Sequence, residues 1–146
     1  MTESYPDYKL AMTVTWGDCD AAGISYYART FDWFTNARMG FLASFGFPYM
    51  EAFHHEGISM VCLTADCAYQ KMLRPDEQIT VHVSLAEFTR ARLTFAYRVM
   101  KKNGQLAAEG KTTHTYVDKD GNPFNLKKRH PVLWERLTDK WPVFND

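Results

Sequence analysis

What the chain lacks narrows its function before any motif is read. No run approaches the roughly 18 consecutive apolar residues of a membrane span, and the opening Met1-Thr2-Glu3-Ser4-Tyr5-Pro6-Asp7 is polar, without the apolar core of a secretion signal. A soluble, cytoplasmic protein is the expectation. Neither sign of charge is in excess: 17 Lys and Arg balance 17 Asp and Glu, which argues against bulk electrostatic binding of nucleic acid or an anionic membrane. Cysteine is scarce. Cys19, Cys62 and Cys67 form no CxxC pair and leave one over in any disulfide scheme, which suits a reducing compartment. Cys19 lies between Asp18 and Asp20, two charges that raise a thiol pKa rather than activate it.

Other signatures are missing too. His54-His55-Glu56 lacks the spacing of a zinc helix, and His82, His114 and His130 fall on different elements. There is no serine elbow, phosphate-binding loop or dinucleotide glycine fingerprint. The stretch Asp118 to Pro123 has a calcium-loop flavour, but its glycine is misplaced and no bidentate acid follows. No metal and no cofactor are expected. Without a linker or an internal repeat, the 146 residues read as a single domain, 1–146, large enough to bury a sizeable core.

What is present is a compact acidic motif, Trp16-Gly17-Asp18-Cys19-Asp20-Ala21-Ala22-Gly23-Ile24, between a strand-like and a helix-like segment. Leu10, Met12, Val14 and Trp16 alternate with polar or small residues, the pattern of a half-buried strand, which puts Asp20 in a strand-to-helix turn. From about Tyr26 to Phe45, apolar residues Tyr27, Phe31, Phe34, Ala37, Phe41, Leu42 and Phe45 recur at helical spacing, and Gly46 with Pro48 marks the stop. Such a helix spans roughly 30 Å and is too apolar for a surface position. One or two further helical turns fit Tyr49 to Phe53.

Strands follow. Ile58 to Leu73 is rich in β-formers and ends at the turn Arg74-Pro75-Asp76, while Ile79 to Leu85 and Leu93 to Val99 alternate strictly. Asn103-Gly104 predicts a hairpin with a type I′ turn, Gln105 to Val117 a last strand, and Pro131 to Lys140 a short helix preceded by a solvated basic loop, Lys127 to His130. The order implies an α+β fold in which one long helix packs on an antiparallel sheet with hairpin connections. A lone sheet keeps open edges, so a homodimer at least is expected.

The acidic motif, the aromatic residues after it and the long helix resemble the 4-hydroxybenzoyl-CoA thioesterase-like branch of the hotdog-fold acyl-CoA thioesterases, over about Tyr8 to Leu126. The resemblance implies a long central helix wrapped by an antiparallel sheet of about five strands, and a dimer or tetramer with its site where two subunits meet. It implies hydrolysis of an acyl or aryl thioester to free acid and CoA. Asp20 matches the catalytic carboxylate, and Tyr27 matches the residue whose backbone N–H polarises the thioester carbonyl. Tyr27 stands where other members carry His, and Ala21 where proline is frequent. Arg90 and Arg92, in Glu87-Phe88-Thr89-Arg90-Ala91-Arg92, match the basic turn that holds the nucleotide of coenzyme A.

An ionised carboxylate can attack the carbonyl to give a mixed anhydride or take a proton from water, and the residues do not choose between them. Free N–H groups in the first turn of a helix supply the complementary charge stabilisation, unless Ser25 caps them. Gly23 permits a sharp turn and close approach of substrate. The bland reading of Asp20 is a cap or an arginine partner, and Asp18 reads as an acid that bonds backbone amides. Asp66 reads as a satisfied polar core residue, and Thr64, on the same strand face, as a substrate-binding candidate. The aromatic residues fall mostly on core positions and do not select an aryl acyl group. A hydratase or dehydratase is the alternative enzyme, though such sites pair a histidine with an acid and the motif has none. A non-catalytic acyl-CoA-binding protein is the third reading.

Overall fold

Period-two alternation builds the sheet in the computed structural model, which describes residues 5–143. Strands β1 (Asp7–Thr13), β2 (Ser59–Tyr69), β3 (Gln78–Phe88), β4 (Arg92–Lys101) and β5 (Leu106–Val117) lie in the order β1-β3-β4-β5-β2, every neighbour antiparallel. Ile79, Val81, Val83 and Leu85 of β3 and Leu93, Phe95, Tyr97 and Val99 of β4 are buried. Thr80, His82, Ser84, Thr94, Ala96 and Arg98 turn to the opposite, partly exposed face.

Helix α1 (Arg29–Ser44) lies across the apolar face, burying Trp33, Phe34, Ala37, Phe41 and Leu42. Phe34 stacks on Tyr97 with ring centroids 4.2 Å apart, and Phe41 meets Phe95 edge-on at 5.4 Å. Gly40 lets β1 close on the helix, since a Cβ there would stand 2.6 Å from Tyr8 Cε2. After the short helices α2 (Tyr49–Ala52) and α3 (Leu126–Arg129), helix α4 (Pro131–Lys140) closes one end. Trp141 just beyond it packs against Phe41, Phe47 and Phe88. Inside this core runs a polar chain: Arg38 Nη1 donates to Tyr97 Oη at 3.0 Å, Tyr97 Oη bonds Thr112 Oγ1 at 2.6 Å, and Thr112 Oγ1 bonds His114 Nε2 at 2.8 Å.

Several expectations need correction. Strand β1 ends at Thr13, not Trp16, because Thr15 caps a 3-10 turn over Trp16–Asp18 and throws Trp16 into solvent. Helix α1 begins three residues later than its apolar stripe, with Tyr26 and Tyr27 outside it. Only β3-β4-β5 are hairpins, since β2 lies at the edge opposite β1 and its connection to β3 crosses the sheet. The Asn103-Gly104 hairpin exists, but Asn103 keeps a negative φ and Gly104 alone is left-handed, at φ 87°. Its bonds, Gly104 N to Lys101 O and Lys101 N to Gln105 O, make a three-residue loop with a glycine bulge instead of a type I′ turn. Lys127 to Arg129 belong to α3, which docks through Leu126 N on Arg90 O at 2.9 Å. Asp66 is exposed and accepts Lys111 N at 3.0 Å, so it is a surface acid and not a core one.

Strand β2 stands apart. It is an 11-residue edge strand whose residues are mostly exposed on both faces, Val61, Leu63 and Tyr69 among them. Among the described residues no helix is long and apolar enough to cross a membrane.

Candidate active site

The acidic motif folds on itself by local bonds. Asp18 Oδ2 accepts Thr15 N and Thr15 Oγ1, both at 2.9 Å, which holds the 3-10 turn and fits the amide-bonding role read for Asp18. Cys19 then pairs with Ser25 in an isolated antiparallel bridge. Between them, Gly23 N donates to Asp20 O and Asp20 N to Ile24 O, both at 3.0 Å, and Ala22 N donates to Asp20 Oδ1 at 2.9 Å. This is a type I turn closed by a left-handed glycine, Gly23 at φ 75°. Asp at the first position and Gly at the fourth are the residues that such a turn favours. Asp20 is exposed, and among the described residues its second carboxylate oxygen has no partner and no cation pairs with it.

The loop is clamped to the β2–β3 crossover and to the approach of α1. Ser25 N donates to Leu73 O at 2.7 Å, and Tyr26 N to Asp18 O at 2.8 Å. Ser25 does not cap the helix. The residue before α1 is Ala28, no side chain caps it, and among the described residues the N–H groups of Tyr27 and Ala28 donate to no partner. Tyr27 therefore lies two residues before the helix, and the residue is exposed. Tyr69, the last residue of β2, donates its hydroxyl to the Tyr27 carbonyl.

A cleft of about 240 Å³ opens here, lined by Ile24, Ser25, Tyr27, Tyr69, Met72 and Leu73. Most aromatic rings are in the core, but Trp16, Tyr26, Tyr27 and Tyr69 are 71%, 43%, 63% and 49% exposed, and Tyr27 and Tyr69 line this cleft. Cys19 donates its thiol to Thr15 O, and desolvation followed by the charges of Asp18, Asp20 and Asp76 pushes its pKa up. Among the described residues no cluster of His, Cys, Asp or Glu stands close enough to hold a metal.

The other candidates lie elsewhere in the protomer. Thr64 and Asp66 pair with Thr113 and Lys111 on the sheet face turned away from α1, and Thr64 is five residues along β2 from Tyr69, about 16 Å. Arg90 and Arg92 stand at the end of β3 reached at Phe88, whereas the Asp20 loop is joined to the end that begins at Gln78. The length of β3 puts the arginines on the order of 30 Å from Asp20. Arg92 Nε also lies 3.4 Å from Glu87 Oε1. One protomer thus brings together Asp20, Gly23 and Tyr27, and leaves Thr64, Arg90 and Arg92 outside. Tyr69 had no sequence signal, because it reaches Tyr27 across 42 residues.

Known proteins resemble this chain in sequence and fold. Residues 14–140 match the family model described as the thioesterase-like superfamily. A protein of Aquifex aeolicus, provisionally named an esterase, is 37% identical over 111 residues, 76% of this chain and 84% of its own. A 1,4-dihydroxy-2-naphthoyl-CoA hydrolase of Synechococcus elongatus is 25% identical over 134 residues, 91% of this chain and 93% of its own. The crystal structure of a DHNA-CoA thioesterase from Staphylococcus aureus, 22% identical, superposes with a TM-score of 0.85 over 91% of this chain and 89% of that one, which makes the fold a hotdog. With its fold, its acidic loop and a match that spans nearly its whole length, the chain belongs to the thioesterase-like superfamily.

Proposed function

We propose that this chain hydrolyses a coenzyme A thioester, with Asp20 as nucleophile or general base and the Tyr27 and Ala28 amides receiving the charge that develops on the carbonyl oxygen. The observation that carries the reading is the unpartnered Asp20 oxygen on a loop whose return limb, Ile24 and Ser25, lines the cleft. A carboxylate on this loop and unpaired donors at the approach of the helix that follows it are the two groups that acyl transfer needs. Gly23 closes the turn without a side chain over the entrance. The exposed rings of Tyr27 and Tyr69 in the cleft lining favour an apolar or aromatic acyl group, in keeping with the 1,4-dihydroxy-2-naphthoyl-CoA named for one relative and the likeness to the 4-hydroxybenzoyl-CoA thioesterase-like branch. A hydratase or dehydratase has less support, since no histidine stands in the loop.

The working unit in this reading is a homodimer formed along β2. Its long edge, exposed on both faces and carrying Val61 and Leu63, needs a cover. A second copy in antiparallel register supplies one with twofold symmetry. The Tyr69 end of β2 adjoins the Asp20 cleft, and the Ser59 end adjoins Val117, Thr115 and so Arg92. Antiparallel pairing therefore brings each Asp20 towards the partner's Arg90 and the partner's Arg92, which then hold the phosphates of coenzyme A. Thr64, near the middle of β2, then lies near the twofold axis, midway between the two sites. A panel of aliphatic and aromatic acyl-CoAs, followed by thiol release, tests the proposal. Turnover of at least one class supports it, and no hydrolysis of any rejects it.

A further inference from the structure

Tyr69 lines the cleft and is held at both ends. Its backbone closes β2 opposite Ala108 of β5, and the amides of Gln70 and Lys71 just beyond it both donate to Ala107 O, at 2.8 and 3.1 Å. Its hydroxyl donates to the Tyr27 carbonyl on the approach to α1. Desolvation, and then contact with Cys67, push the phenol pKa up to about 12, so the hydroxyl keeps its proton and the bond persists over the working range. Between these anchors the ring is a fixed strut from the end of the sheet to the segment before the helix. It is half-exposed and lines the cleft with Ile24, Tyr27, Met72 and Leu73. With its hydroxyl engaged by the backbone, what Tyr69 presents to a ligand is bulk and an apolar ring.

That bulk matters because the cleft is small. Its volume of about 240 Å³ is not far above the roughly 150 Å³ of an apolar protein cavity that takes up one benzene ring. One phenol ring more or less on the wall therefore decides what fits. Met72, 60% exposed and unbranched, can yield to a larger guest, whereas a ring fixed at both ends cannot. We infer that Tyr69 is the size-determining residue of the acyl site, its ring setting the largest acyl group that the cleft takes from a coenzyme A thioester. This rests on the hydrolase reading above.

The test compares wild type, Tyr69→Phe and Tyr69→Ala on a straight-chain series from butanoyl- to dodecanoyl-CoA and on benzoyl-CoA beside 2-naphthoyl-CoA, with melting temperatures for all three proteins. Tyr69→Ala should move the best substrate to a larger acyl group and raise the kcat/KM ratio of larger to smaller by about tenfold or more. Tyr69→Phe, which keeps the ring, should keep the wild-type optimum. An unmoved optimum in Tyr69→Ala, a loss shared equally by all acyl groups, or a shift as large in Tyr69→Phe overturns the inference. A second measurement needs no variant to fold: S-alkyl-CoA thioethers, which cannot be hydrolysed, are titrated into wild type carrying ring-labelled tyrosine. The Tyr69 ring protons should show NOEs to the terminal methyl of the longest thioether that binds, and a methyl that meets other lining residues but not Tyr69 contradicts the assignment. A wild type inert towards every thioester rejects the hydrolase reading, and the thioether contacts then decide the inference, whereas an active wild type whose preferences ignore Tyr69→Ala rejects the inference alone.

Discussion

Asp20 and Asp118 open the same backbone loop, and they differ in what holds their carboxylates. In both loops the fourth residue is a left-handed glycine, Gly23 or Gly121, whose N–H returns to the Asp carbonyl. In both the Asp amide bonds the fifth residue's carbonyl, Ile24 or Asn122, and the Asp side chain accepts the third residue's amide. Asp118 goes further. Its Oδ1 also accepts Asn122 N at 3.0 Å and its Oδ2 meets Arg129 Nη1 at 3.2 Å. The Asn122 amide, then the Asp120 amide and Arg129, hold the Asp118 carboxyl below the usual range. Asp20 has the loop without the clamp, so its structural duty leaves one carboxylate oxygen without a partner among the described residues. The chain carries its own control.

The basic ends give a kinetic prediction. Arg90→Ala and Arg92→Ala should each raise KM for an acyl-CoA by about tenfold, the worth of one charge-assisted contact, with kcat held. N-acetylcysteamine thioesters, which lack the nucleotide, should not distinguish the variants from wild type. Mixed dimers of Asp20→Asn with the Arg90→Ala, Arg92→Ala double variant should regain, at low substrate concentration, the wild-type KM that the double variant lacks together with the turnover that Asp20→Asn lacks, because one of their two sites is whole. No regain on mixing would contradict a site shared between copies.

The interior polar chain gives a pH prediction. Burial, with Arg38 nearby, drives the His114 ring down to about 4, and among the described residues its Nδ1 has no partner. The unfolded chain, with an ordinary histidine at about 6.5, binds a proton that the folded state refuses. Stability should therefore fall as pH drops from 6.5 towards 4, by up to roughly 3 kcal/mol from this group, and be unaffected by it at pH 7.5. Urea unfolding of wild type and His114→Leu at pH 4.5 and 7.5 reads the difference. Equal pH dependence in the two proteins would show that His114 is not the source.

How much was legible follows from how local each interaction is. Strict alternation found β3 and β4, Pro131 marked the start of α4, and the Asp20 loop closes through bonds no more than four residues apart, so an Asp, a Gly and their spacing expose it. The start of α1 was not legible: Tyr26 and Tyr27 continue the apolar stripe, but Asp18 and Tyr69 hold their backbone outside the helix. Nor was the separation of Arg90 and Arg92 from Asp20, because that depends on which edge β2 occupies. The turn type at Asn103 was not legible either, because a bulged loop needs only one left-handed residue, which Gly104 supplies.

Gly110 gives a stability prediction. A Cβ at this position would overlap the Asp66 carbonyl oxygen on β2, and backbone cannot swing aside as a side chain can. Gly110→Ala should cost about 1–3 kcal/mol, as overpacking does, and should loosen the proposed dimer by displacing the edge strand β2. Urea unfolding and sedimentation of the variant check both, and an unaltered variant would mean that β2 moves freely on β5.

The central claim is that the spare oxygen of Asp20 does the chemistry while its loop is merely scaffold. The direct measurement is kcat/KM for Asp20→Asn beside Asp118→Asn on one acyl-CoA, with melting temperatures for both. Asp20→Asn should lose several hundredfold in activity, on the order of 3 kcal/mol or more of transition-state stabilisation, and melt like wild type. Asp118→Asn should stay active and melt lower. An Asp20→Asn protein as active as wild type would contradict the account.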